Sequence, residues 1–180
     1  PQNSESFSQD SKSIGSEISS FNRDGATLDN GKVITKDGVL DKKLPEGYEF
    51  LNIVDGKVIA TNNIDKILID QEEIEIGSVI IAATFKDNML ALIHSNNAIS
   101  LFDINEKKTV FKEYLGKSFA NDVRIANPYF MSNIVLFPGL DGKIAVVSIQ
   151  NYKVVRNITV DADGRFNNII YLNVVNDTLI

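Results

Sequence analysis

The chain has 180 residues, with 18 Lys or Arg against 24 Asp or Glu, for a net charge of −6, and it contains no Cys and one histidine, His94. Hydrophobic residues make up 43 % and charged residues 23 %, an ordinary balance for a globular chain of one or two domains with a sizeable core. The acidic balance opposes electrostatic binding to nucleic acid or anionic lipid, no apolar stretch reaches the roughly 18–20 residues of a membrane-spanning helix, and the missing thiols exclude disulfides, thiolate nucleophiles and cysteine-held zinc.

The first twenty residues carry eight serines and only Phe7, Ile14 and Ile18 as sizeable apolar groups. Such a segment buries too little to offset its chain entropy, so residues 1–20 are expected to form a flexible leader or loosely held arm. The chain opens at Pro1 without Met or an apolar signal segment, so we expect a leader removed upstream or a chain cut at that point. A polar, Ser-rich tether ahead of a folded body is what many bacterial exported lipoproteins carry. It would put a lipid anchor upstream of Pro1, although the chain holds no lipid-attachment Cys.

From about Phe21 the texture changes to short apolar runs separated by turn residues. The pairs Asn30-Gly31, Asp37-Gly38, Asp55-Gly56, Asp141-Gly142 and Asp163-Gly164 readily supply the positive φ angles of tight hairpins. The runs between turns are about five to eight residues long and mostly β-branched, which favours strands. No amphipathic pattern of helical period stands out beyond residue 25, so the body is expected to be all-β.

The strands come in sets. A short set at 21–47 precedes Phe50–Val54, Lys57–Thr61, Lys66–Ile69 and Glu73–Ile76 in a set at 48–77. The set at 78–117 reads as Val79–Phe85, Met89–His94, Ile99–Ile104 and Thr109–Leu115, and the set at 118–164 as Val123–Phe130, Ile134–Phe137, Lys143–Ile149 and Lys153–Val160. Ile99 matches Ile144 and Val110 matches Val155, each pair 45 residues apart. A four-stranded unit repeating every 40 or so residues points to the blades of a β-propeller. One such sheet has two apolar faces, which stacking against neighbouring blades buries. The alternative is a β-sandwich or irregular meander. A partial unit at 165–180 suits an incomplete ring or a fragment of a longer propeller; alternatively, those residues pair with the first strands after residue 21 to close a small ring.

The segments beginning Gly142-Lys143-Ile144-Ala145-Val146-Val147 and Asn97-Ala98-Ile99-Ser100-Leu101-Phe102-Asp103 resemble the repeats of PQQ-like (quinoprotein-like) β-propellers over roughly residues 26–180. Quinoprotein blades carry a Trp docking motif, and this chain has no Trp. The pattern is most similar to the non-catalytic, BamB-like branch of that group. The resemblance implies an exported scaffold in the periplasm or at the outer membrane, with no cofactor and no enzymatic activity, that holds a protein partner such as an outer-membrane assembly complex. A propeller that binds a glycan or small molecule, a degenerate quinoprotein and a surface adhesin are the alternatives.

Local chemistry adds little. Asp161-Ala162-Asp163-Gly164 resembles half a calcium loop, but Thr159 and Ile170 stand where an EF-hand needs Asp and Glu, so a plain hairpin is expected and no metal. His94 ends a strand beside Ser95, with Asp87 and Asp103 as potential partners; no nucleophile-elbow sequence surrounds any Ser, and His94 is expected at the surface or in a turn. Asn157 and Asn176 match the generic glycosylation pattern by chance. What remains is a surface. Tyr129 and Phe130 beside Pro128, and Phe137 and Leu140 flanking Pro138-Gly139, would form an apolar partner-binding patch if exposed together. Arg124 and Arg165 would supply its charged hydrogen bonds. The competing expectation is that Tyr129, Phe130 and Phe137 pack between blades.

Overall fold

A computed structural model describes residues 16–22, 24–117 and 125–159, together with two short strands at 174–175 and 178–179. Residues 1–15 of the expected leader therefore lie outside the described residues. The end of that stretch is a strand, β1 (Ile18–Phe21), which pairs with β2 (Gly25–Leu28) and is followed by β3 (Lys32–Thr35) and β4 (Gly38–Lys43). The second sheet holds β5 (Glu49–Val54), β6 (Lys57–Thr61), β7 (Lys66–Ile69) and β8 (Glu72–Glu75). The third holds β9 (Ile80–Lys86), β10 (Met89–His94), β11 (Ala98–Asp103) and β12 (Lys108–Tyr114). The fourth holds β13 (Tyr129–Met131), β14 (Ile134–Pro138), β15 (Lys143–Ser148) and β16 (Lys153–Thr159), and β17 (Val174–Val175) and β18 (Thr178–Leu179) pair as a ribbon.

Every four-stranded sheet is antiparallel and keeps its strands in chain order. The turns allow this because residues such as Asp55 (φ 49°) and Asp87 (φ 54°) accept a left-handed backbone, the conformation that tight hairpins require. Lys107, Ser132 and Tyr152 adopt it too, at turns with no Asp-Gly or Asn-Gly signal. β13 is shorter than the strand expected over Val123–Phe130, and 125–128 are not in a strand. Pro128 has no N–H for a ladder, and the Asn127 side chain is used elsewhere.

Side chains alternate between the two faces of each sheet, and the seams follow from that alternation. Phe50, Val58, Ala60 and Leu68 of the second sheet pack against Val33 and Leu44. Its opposite face, with Ile59, Ile67 and Ile69, meets Ile80, Leu90 and Leu92 of the third sheet. Ala91, Ile93, Ile99 and Leu101 then meet Val135, Phe137, Ala145 and Val147 of the fourth. Strands buried on both faces explain the nearly unbroken apolar runs of β10 and β11. First strands lie nearest the common centre, β1 and β2 against β5, β5 against β9, and β9 against β13. The fourth strands are outermost and largely exposed. Separate sheets stacked about a centre are the architecture of a propeller, whereas a sandwich would merge them into two layers. Gly25 faces the seam between the first two sheets: a Cβ there would lie 2.6 Å from the Ile34 carbonyl oxygen of its own sheet and 2.7 Å from the Phe50 ring of the second.

Candidate partner-binding site

The hairpin β13–β14 and the corner after it carry four of the sequence-derived candidates, and the sheet's alternation separates them. Tyr129 pairs with Leu136, and Phe130 with Val135. Val135 and Phe137 share the face that meets the third sheet, so Phe137 is fully buried in that seam. Leu140 is buried with it, and its N–H donates to Asn97 Oδ1 at 3.1 Å. Asn97 also donates from Nδ2 to the Gly116 carbonyl at 3.0 Å, tying the corner to the third sheet. Gly139 permits the corner's tight path, because a Cβ would lie 2.5 Å from Asp141 Oδ1. Phe130 is half-buried against the same seam. Tyr129 is 41 % exposed. Phe137 and Leu140 are thus core residues with no surface to offer, and the accessible apolar surface here is Tyr129 with the flanks of Phe130 and Met131. Arg124 and Arg165 lie outside the described residues, as do the Asp161–Gly164 turn and Asn176.

Sequence reasoning missed a polar cluster around the centre. Asn127 Nδ2 donates to Asp24 Oδ2 at 2.7 Å and its Oδ1 accepts from the Ala83 N–H at 3.1 Å. Asn52 Nδ2 donates to the Ala83 carbonyl at 2.9 Å. Asn22 Nδ2 donates to the carbonyls of Phe50 and Leu51 at 2.8 and 3.0 Å. The first strand of a blade has one edge without a neighbouring strand, and its backbone groups need other partners. Asparagine, which both donates and accepts, supplies them from the adjoining blade. The available signal was positional: Asn22, Asn52 and Asn127 each stand in or beside the first strand of a set.

His94 overturns the expectation of a surface or turn residue. It is 2 % exposed, with Nδ1 2.6 Å from Ser78 Oγ and Nε2 2.7 Å from Ser100 Oγ. Burial, and secondarily the Lys112 charge, push its pKa down to about 4, so near neutral pH the ring is uncharged and held by two hydroxyls. Asp87 lies at the opposite end of β10, and Asp103 Oδ1 accepts from the N–H groups of Asn105 and Glu106 within its own turn. The ring's two nitrogens are thus satisfied without a carboxylate. No cluster of His, Asp and Glu suited to a metal ion occurs among the described residues.

Beside the first sheet and its connection to the second lies an open cleft of about 510 Å³, lined by Thr27, Asp29, Lys43, Glu46, Tyr48 and Glu49 among others. Of its lining, Tyr48 donates its hydroxyl to Glu73 Oε2 at 2.6 Å, and Lys66 Nζ sits 2.8 Å from Glu73 Oε1. Hydrogen bonds from Lys66 and then Tyr48 hold the Glu73 carboxyl below its usual range. Burial and the Glu73 carboxylate push the Tyr48 hydroxyl up to about 12.

No family model matches the chain. Its sequence is 37 % identical over 102 residues to the plasminogen-binding protein PgbB of two Helicobacter pylori strains, a match covering 56 % of this chain and 19 % of those proteins. The chain thus spans about a fifth of the length of the curated relatives it matches. Among solved structures, BamB from Moraxella catarrhalis superimposes with a TM-score of 0.64 at 19 % identity, over 91 % of this chain and 56 % of that one. AztD from Citrobacter koseri superimposes with a TM-score of 0.53 at 16 % identity, over 86 % of this chain and 49 % of that one. The fold is a BamB-like β-propeller fold.

Proposed function

We propose that this chain belongs to an exported, non-enzymatic β-propeller of the bacterial envelope that works by holding a protein partner. The observation that carries this reading is the 37 % identity over 102 residues to proteins named for binding plasminogen, in a chain with a BamB-like fold. On this chain's own surface the contact centres on Tyr129, with Phe130 and Met131 beside it. A tyrosine offers an apolar ring and a hydroxyl at low entropic cost, which suits a protein interface. The partner is a component of an outer-membrane assembly complex, and the location is the periplasm or the outer membrane. The resemblance to BamB-like propellers supports both assignments.

Affinity capture from envelope extracts tests this directly. An assembly-complex component should be recovered by the parent chain and lost with Tyr129→Ala; recovery of none would sink the assembly role. The relatives' name favours a second reading, in which plasminogen itself is the partner. Immobilised chain should then bind plasminogen in solution, and Tyr129→Ala should weaken that binding about tenfold, the loss expected when a central aromatic is truncated. Calorimetry with PQQ, calcium and simple glycans should register no heat. Heat with PQQ or calcium would point instead to a degenerate quinoprotein, and heat with a glycan to a lectin-like propeller.

A further inference from the structure

Sulfur in these 180 residues is confined to two thioethers, Met89 and Met131, because Cys is absent. Peroxides transfer oxygen to thiolates and thioethers, so oxidation of this kind has two places to act. The fold treats the two differently. Met89 opens β10 and packs against the seam between the third and fourth sheets. Met131 closes the three-residue strand β13, opposite Ile134 and just before the turn residue Ser132 (φ 50°). It is half-buried and joins none of the apolar clusters formed by the described residues. Successive strand residues take opposite faces, so Met131 lies on the face of β13 that carries Tyr129, and Phe130 lies on the other.

We propose that Met131 is an oxidation site that regulates partner binding: a peroxide converts it to the sulfoxide and thereby weakens the contact centred on Tyr129, on which the proposal rests. In this step the thioether sulfur takes one oxygen from the peroxide. An S–O bond forms, the O–O bond breaks and, with hydrogen peroxide as the oxidant, water leaves; sulfur is oxidised by two electrons and the peroxide reduced by two. The product carries a polar, chiral tip where a flexible apolar one stood. Between two proteins that tip must lose its water or go unpaired, and either costs binding energy. The hairpin is held by the backbone pairing of Tyr129, Phe130 and Met131 with Leu136, Val135 and Ile134, so oxidation changes the surface and leaves the fold in place. A methionine sulfoxide reductase returns the thioether, which makes the change reversible.

Brief exposure to hydrogen peroxide, stopped with catalase and followed by peptide mass spectrometry, should find Met131 oxidised about fivefold or more faster than Met89, whose side chain packs against a seam. Capture from envelope extract and binding of soluble plasminogen are then measured with the treated chain. Oxidation should weaken binding of whichever partner the untreated chain holds by about tenfold, and a methionine sulfoxide reductase should restore it. Met131→Leu should bind as the parent does and keep its affinity through peroxide, whereas Met131→Gln should bind weakly without any oxidant. Circular dichroism should show the oxidised chain still folded. Equal oxidation of the two methionines, binding that survives oxidation of Met131, or unfolding on oxidation would each overturn the proposal. Absence of binding by the untreated parent would instead bring down the Tyr129 contact, and the proposal with it.

Discussion

His94 carries a proton-linked stability. The folded state holds the imidazole neutral, with a pKa of about 4 against 6.5 for the free group. As pH falls below 6.5 the unfolded chain takes up the proton first. The stabilising contribution is therefore fully present above 6.5 and is lost as pH falls toward about 4. A fall from 6.5 to about 4 corresponds to about 3 kcal/mol. Urea unfolding at pH 7 and pH 4.5 should register a loss of that order in the parent chain, over and above the carboxylate contribution. In His94→Gln, whose amide bonds both serines without titrating, the difference between the two pH values should shrink by 1 kcal/mol or more. An unchanged difference would mean the ring is not held neutral by burial.

Within the fourth sheet, one hairpin divides its aromatics between stability and recognition. Phe137 fills the seam with the third sheet, so Phe137→Ala should cost about 3–5 kcal/mol through lost burial and the cavity left behind. Tyr129→Ala, on the exposed side, should change stability by no more than about 0.5 kcal/mol while weakening partner binding. Thermal unfolding of the two variants separates these roles; equal destabilisation would place Tyr129 in the core as well. The face assignment was legible in principle, because Val135 and Phe137 share parity in β14. What the local pattern lacked was the identity of the neighbour on each face. Gly25 makes a related point at the seam of the first two sheets: Gly25→Ala should destabilise by about 1–3 kcal/mol, because the Ile34 carbonyl and the Phe50 ring must both move. An unchanged denaturation midpoint would show that the seam is looser than these contacts require.

Across the described residues, stacked blades contact one another through their seams and their inner edges. Asn127 reaches residues of the first and third sheets from just ahead of the fourth, so it couples units more than a hundred residues apart in sequence. Asn127→Ala should cost about 1–3 kcal/mol by leaving the Asp24 carboxylate and the Ala83 N–H without this partner. Hydrogen exchange should show the loss at the inner strand β9 and leave the outer strand β12 unaffected. Equal deprotection of both strands would indicate global destabilisation without an axial role.

The all-β class, the four-stranded sets and the repeat that implies stacked blades were written in the sequence. Turn dipeptides and β-branched runs act over a few residues, and a period of about 45 residues survives in the positions of Ile99 and Ile144. The site was far less legible. Whether an aromatic faces solvent or a seam, whether His94 meets water or two hydroxyls, and which asparagines bind the inner edges all depend on side chains brought in from other blades. Those neighbours are set by stacking, a long-range packing choice that local propensity does not encode, and only the tertiary structure supplied them.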